Sequence, residues 1–216
     1  QRQMCIRDRY TNDKGEKKKG YFRYWAPGRV IEHDGKFYLY VTFVKPGDKM
    51  GTYVLVADRP EGPFRFTEGK GLFVSGEEVD SPAIIDDIDG EPFIDDDGTG
   101  YIFWRRRNAA RLSADRLHLD GEPVTLKTAR QGYSEGPVMF KRKGIYYYIY
   151  TLSGHQNYAN AYMMSRESPL TGFVKPEGND IFLFSAPENQ VWGPGHGNVF
   201  YDEGTDEYLS LIHISE

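Results

Sequence analysis

Cysteine is all but missing from this chain: among 216 residues there is one, Cys5. An intrachain disulfide framework is therefore excluded, although cysteine count alone assigns no cellular compartment. Long apolar runs are missing too. No stretch approaches the roughly 18 residues that a membrane-spanning helix needs. An excess of positive charge is absent: the formal net charge is −5 and the pI is near 5.6, which speaks against a nucleic-acid-binding footprint. The basic runs Lys17-Lys18-Lys19 and Arg105-Arg106-Arg107 read as solvated turns or strand edges. Helical periodicity is the last absence. Residues 108–117 come nearest to it and are interrupted by Ser113 and Asp115. What is present is strand and turn. Aromatic residues make up 15% of the chain, with 16 tyrosines, a composition that favours pleated, half-buried strands. The length suits one domain or most of one.

The two ends do not share this pattern. Residues 1–9 carry no periodicity and resemble translated adapter sequence, as do residues 210–216. Both are expected to be non-native and to take no part in the fold. The expected domain is 10–209, truncated at both ends. No secretion signal is legible, and localisation is left unassigned.

Within 10–209 one phrase recurs. A tight turn opens into a Tyr- or Phe-rich strand at Asp34-Gly35, Asp97-Gly98 and Lys143-Gly144, with a weaker copy at Glu203-Gly204. Strands are predicted at 30–33, 37–44 and 52–57. A second phrase supports the first: residues 57–64 resemble 165–173, and Pro60 and Pro169 each fall 25 residues after a turn glycine. A hairpin, a third strand and a Pro…Gly-Phe edge make the unit of a four-stranded propeller blade. The uneven spacing of Gly35, Gly98, Gly144 and Gly204 excludes WD40 and kelch arrays. About four partial blades are counted.

Polar residues sit at matching places in these units. Asp89 and Glu135 lie nine residues before their turn glycines, and His196 lies eight before Gly204. In a propeller the innermost strand of each blade lines the axis, so these three groups are expected to face a common funnel. Glu135 stands in Tyr133-Ser134-Glu135-Gly136-Pro137, and the alternative for it is a surface carboxylate in a turn. Asp86 and Asp87 are alternatives to Asp89 if the strand register slips. His196, set among Gly193, Pro194, Gly195 and Gly197, has a hydrogen-bonded turn histidine as its alternative. The run Asp95-Asp96-Asp97-Gly98 is expected to shape its hairpin through local backbone hydrogen bonds; it lacks the alternating spacing and distal glutamate of an EF-hand.

Four motifs in order resemble glycoside hydrolase family 43: Trp25-Ala26-Pro27 before a Tyr-rich hairpin, Ile88-Asp89 leading to Asp95-Asp96-Asp97-Gly98, Ser134-Glu135-Gly136-Pro137, and Gly193-Pro194-Gly195-His196. The resemblance covers about residues 20 to 209. It implies an all-β, five-bladed propeller, incomplete in this chain, and an inverting O-glycosyl hydrolase acting on α-L-arabinofuranosyl or β-D-xylosyl linkages in plant cell-wall polysaccharides. Its partner is then an arabinose- or xylose-containing glycan. Glu135 becomes the general acid and Asp89 the carboxylate that tunes and orients it. Trp25 and His196 become sugar-pocket residues, with core packing the alternative for Trp25. His196 is also the candidate contact, through water, to a calcium ion.

Departures from the family pattern are Gly90, where proline is usual after the Asp89 equivalent, and Gly28, where an acidic residue is common. The family's base aspartate lies upstream of everything matched, and Asp8 belongs to the adapter-like segment. No base is assigned, and the 216-residue piece is expected to be inactive by itself. The rival readings are a non-catalytic carbohydrate-binding propeller and a fructoside or sialoside propeller. The fructoside signatures Arg-Asp-Pro and Glu-Cys do not occur.

Overall fold

Runs of Tyr, Phe, Val and Ile cut by Gly and Asp leave extended hairpins as the available structure, and the fold is all-β. The computed structural model describes residues 6–11, 17–25, 28–45, 49–68, 81–152 and 158–213. Pro27, Gln1 to Cys5 and the last three residues of the chain, all named above, lie outside the described residues, as does Ala26. The chain divides into two compact units, residues 1–90 with 115–118, and residues 91–114 with 119–216.

The first unit holds β1 (Ile6–Thr11), β2 (Lys17–Trp25), β3 (Val30–His33), β4 (Lys36–Lys45) and β5 (Lys49–Ala57). All pairings are antiparallel, and β4 is central, with β5 along its length and β2 and β3 sharing its other edge. Ile6–Thr11, where no strand was expected, pairs with Lys17–Phe22. Backbone ladder bonds need no alternating side-chain pattern, which is why periodicity gave no sign of it. Val41, Phe43, Tyr53 and Leu55 form a core with Leu39, Phe64, Phe66 and Ala83. Tyr40, Thr42 and Val44, on the opposite face of β4, are also buried. Burial on both faces accounts for the unbroken apolar run of this strand.

The second unit holds two four-stranded antiparallel meanders and a hairpin. The first meander is β6 (Glu91–Ile94), β7 (Gly100–Trp104), β8 (Asn108–Leu112) and β9 (Leu119–Thr125). The second is β10 (Ser134–Arg142), β11 (Ile145–Leu152), β12 (Ala159–Ser165) and β13 (Ile181–Phe184). The hairpin is β14 (Gly195–Asp202) with β15 (Glu207–His213). The leading strand β10 packs beside the leading strands β6 and β14, so sheet follows sheet as blades do. Met139, Tyr148, Tyr150, Phe103 and Phe93 lie in the core between the two meanders. Each large buried side chain of this kind contributes about 1.5–3 kcal/mol.

The recurring turn phrase resolves into three geometries. Asp34-Gly35 and Lys143-Gly144 are two-residue turns with both residues at positive φ, the form whose twist matches the flanking strands. The third copy spans a longer loop between Ile94 and Gly100, closed by Asp95 N–H to Thr99 O at 2.9 Å. There Asp95 Oδ1 accepts the Asp96 N–H and Asp97 Oδ1 the Thr99 N–H, each at 2.8 Å. The weak copy is a four-residue turn between Asp202 and Glu207, in which Asp206, not Gly204, has positive φ. His196 counts eight back rather than nine because the ladder place of Glu135 is taken here by Gly195, and His196 stands where Gly136 does in β10. The Pro…Gly-Phe phrase is a returning edge in both copies: Arg65 bridges Val56, and Val174 bridges Met164.

Two ionic contacts tie the second unit together. Asp95 on the β6–β7 loop meets Lys141 Nζ at 2.7 Å and the Tyr146 hydroxyl at 2.6 Å. Burial pushes the Asp95 carboxyl up, but these two hydrogen bonds outweigh it and the group lies below its ordinary range. Asp180, fully buried, accepts Arg130 Nε and Nη2 at 2.8 and 2.7 Å, and this paired fork holds its carboxyl low.

Candidate active site

Glu135 lies near the head of β10 opposite Thr151 of β11, and Thr151 lies opposite Asn160 of β12. Immediately after Glu135 the ladder slips by one residue, and the slip ends at Val138. Gly136, at φ +50, makes this bulge. Bulges re-aim side chains at the ends of strands, and a glycine takes the left-handed conformation without a Cβ penalty. Glu135 itself is buried at 8% exposure. Its Oε2 accepts a hydrogen bond from the Tyr133 hydroxyl.

The same slip occurs at the head of β14, between Gly195 and Asn198. Here the left-handed residue is His196 itself, at φ +44. A non-glycine residue costs about 1–2 kcal/mol in that region, so the conformation must be held. Thr151 Oγ1 accepts the His196 N–H at 2.9 Å, and Thr151 and Asn160 meet at 3.2 Å. Asn160 Nδ2 then donates to Pro194 O at 3.2 Å. Thr151 and Asn160 are both buried, so this network is shielded from water and specifies one geometry.

Gly136 joins the two bulges. A Cβ on it would stand 2.8 Å from His196 Cα and 2.9 Å from His196 Cγ. The missing side chain is what lets the backbone just after Glu135 lie against His196. Gly195 is as tight, its virtual Cβ 2.7 Å from Thr151 Cγ2 and 2.8 Å from Tyr158 Cδ2. The structure thus brings Glu135 and His196 side by side within the second unit.

Trp25 and Asp89 belong to the first unit, where they meet around another threonine. Trp25 pairs with Thr42, and Thr42 Oγ1 accepts the Asp89 N–H at 2.9 Å. Asp89 also has positive φ, +68, and is buried. Thr52, opposite Thr42, accepts the Gly90 N–H at 3.2 Å and donates to Asp87 O at 3.0 Å. Of the three neighbouring carboxylates, Asp86 is exposed and Asp87 Oδ1 accepts the Ile88 N–H at 2.9 Å. Thr42 and Thr151 each stand seven residues after a turn glycine and each hold a left-handed residue that opens the following chain segment. This repeated device was overlooked in the sequence, although the Thr-after-Gly spacing carries it.

Among the described residues, no group of three or more His, Cys, Asp or Glu side chains is placed to hold a metal ion. The described side chains around His196 therefore do not form a direct protein cage for calcium.

Comparison with known proteins places these features. The model for "Glycosyl hydrolases family 43" matches residues 4–216. A β-D-galactofuranosidase of Aspergillus niger is 31% identical over 203 residues, covering 86% of this chain and 55% of the relative. An arabinoxylan arabinofuranohydrolase of Bacillus subtilis is 30% identical over 150 residues, covering 60% of this chain and 28% of the relative. This chain thus spans about half the length of the first and less of the second. Among solved structures, a glycoside hydrolase is 41% identical with a TM-score of 0.74, covering 90% of this chain and 46% of that one. An endo-1,4-β-xylanase of Bacteroides thetaiotaomicron is 27% identical with a TM-score of 0.70, covering 90% and 67%. Matched by the family model over residues 4–216 and carrying the four motifs in order, this chain belongs to family 43 of the glycosyl hydrolases.

Proposed function

We propose that the protein carrying this chain hydrolyses α-L-arabinofuranosyl or β-D-xylosyl linkages in plant cell-wall glycans, with inversion, and that Glu135 is its general acid. The observation that carries this reading is Glu135 itself: a buried carboxyl, aimed by a glycine bulge and packed beside His196. A carboxyl in such a place protonates a leaving group far better than an exposed turn glutamate would. Asp89 is assigned as the carboxylate that orients and tunes the acid, and its left-handed backbone, held by Thr42, fits a residue under functional constraint. Trp25 and His196 are assigned to the sugar pocket. Calcium, in this reading, would touch His196 only through its hydration water.

The step balances as a single displacement. The bond from the anomeric carbon to the glycosidic oxygen breaks, and its electron pair stays on the leaving oxygen. That oxygen takes the proton of Glu135. Water forms the new bond to the anomeric carbon from the opposite face and gives its proton to a carboxylate base, set about 6.5–9.5 Å from the acid in inverting enzymes.

Arabinose or xylose release from oligosaccharides by the full-length protein tests this. Glu135→Gln is expected to lower kcat by about 10²- to 10⁴-fold, and the anomer first released, followed by polarimetry or NMR, is expected to be inverted. Near-normal turnover in that variant would remove Glu135 from the role. Glycan binding with no turnover by the unaltered protein would favour a carbohydrate-binding propeller instead.

A further inference from the structure

We infer that Tyr133 is a positioning residue for the acid, fixing which oxygen of Glu135 delivers the proton. The inference rests on the reading of Glu135 as the general acid. Tyr133 stands two residues before Glu135, just ahead of β10, and Ser134 between them is buried. The Tyr133 hydroxyl donates to Glu135 Oε2. In the protonated acid the oxygen that accepts this bond is the carbonyl-type one, so the proton is carried on Oε1. As the proton leaves for the glycosidic oxygen, the carboxyl becomes an anion and the bond from Tyr133 becomes charge-assisted, which strengthens it. An interaction that grows along the reaction accelerates the step rather than merely tightening binding.

The surroundings suit that role. Tyr133 is 46% exposed, whereas Glu135 is 8% exposed; the tyrosine is a surface residue bonded to a buried carboxyl, and not a core residue. Its backbone is anchored from behind, because Arg107 Nη1 donates to Gly132 O at 2.9 Å and Gly132 takes φ +96 just before the tyrosine. The hydroxyl is therefore brought to Glu135 by a constrained turn.

Leaving-group dependence separates positioning of an acid from a structural role. A 2,4-dinitrophenyl leaving group departs without a proton, whereas a methyl leaving group needs one. The full-length protein and its Tyr133→Phe variant would be assayed on 2,4-dinitrophenyl and methyl α-L-arabinofuranosides, and on the matching β-D-xylosides. The expected result is a fall in kcat on the methyl glycoside of about 10- to 100-fold, within the range general acid catalysis supplies. Turnover of the dinitrophenyl glycoside should stay within about threefold of the unaltered protein. An equal fall on both leaving groups, a change confined to KM, or no change on either would overturn the inference. Glu135→Gln run alongside distinguishes the two levels. If it too spares the methyl glycoside, the assignment of Glu135 fails; if it alone loses that substrate, only the role of Tyr133 fails.

Discussion

Valine in place of Thr151 would keep the shape of a fully buried side chain and remove the oxygen that accepts the His196 N–H. A buried donor left without its acceptor costs about 1–3 kcal/mol, and here it also releases a backbone held at φ +44. Thr151→Val is therefore expected to lower kcat of the full-length enzyme by about 10-fold or more, while Thr151→Ser retains most of it; equal activity in the two variants would refute the link. Gly136→Ala should be harsher, because the new Cβ meets His196 backbone at 2.8 Å and cannot be relieved by a rotamer change. Loss of activity with a lowered unfolding temperature is expected, and unchanged kinetics would argue against the packing. That the segments of Glu135 and His196 come together was legible, because both were counted from a turn glycine. Thr42 and Thr151 share a spacing of seven from a turn glycine, but the bonds they make, like that of Tyr133 to a neighbour two residues away, are recorded by neither composition nor periodicity.

Hairpins and edges were the legible elements: Asp34-Gly35 and Lys143-Gly144 are the turns their sequences demand, and the Pro…Gly-Phe phrases are returning edges. The β6–β7 loop was read only in part. Its aspartates do bind local backbone, but Asp95 also reaches Lys141 and Tyr146 of the next sheet, a long-range pairing that no local pattern announces. The same holds for Arg130 and Asp180, 50 residues apart. Removing Arg130 leaves a carboxylate that is buried in the folded protein with Lys175, at 4.0 Å, as its remaining cation among the described residues. Breaking a buried pair from one side costs about 3–5 kcal/mol. Arg130→Ala is expected to approach that loss in urea unfolding, since the guanidinium is 40% exposed while the carboxylate is not. A loss below about 1 kcal/mol would show that Lys175 or water replaces the fork.

At the scale of the whole molecule these ion pairs set an acid limit to stability. The carboxyls of Asp180 and Asp95 both lie below their ordinary range in the folded protein. Asp180 is held there chiefly by the Arg130 hydrogen bonds, and Asp95 by Lys141 and Tyr146 against the opposing effect of burial. In the unfolded chain an aspartate titrates near about 3.9. Between those two values the unfolded chain binds more protons than the folded one, so stability rises with pH across that window. The contribution is complete above the unfolded value and drains away as pH falls through the folded one. Asp180→Asn removes the charged partner at every pH, whereas acid removes it only from the unaltered protein. The stability difference between the two, measured by urea unfolding, should therefore be largest at neutral pH and shrink steadily below about pH 4. As the Asp180 carboxyl becomes protonated, the unaltered protein comes to resemble its own asparagine variant. A difference that stays constant from pH 7 to pH 3 would mean that Asp180 acts through shape and neutral hydrogen bonding, and that its charge adds nothing.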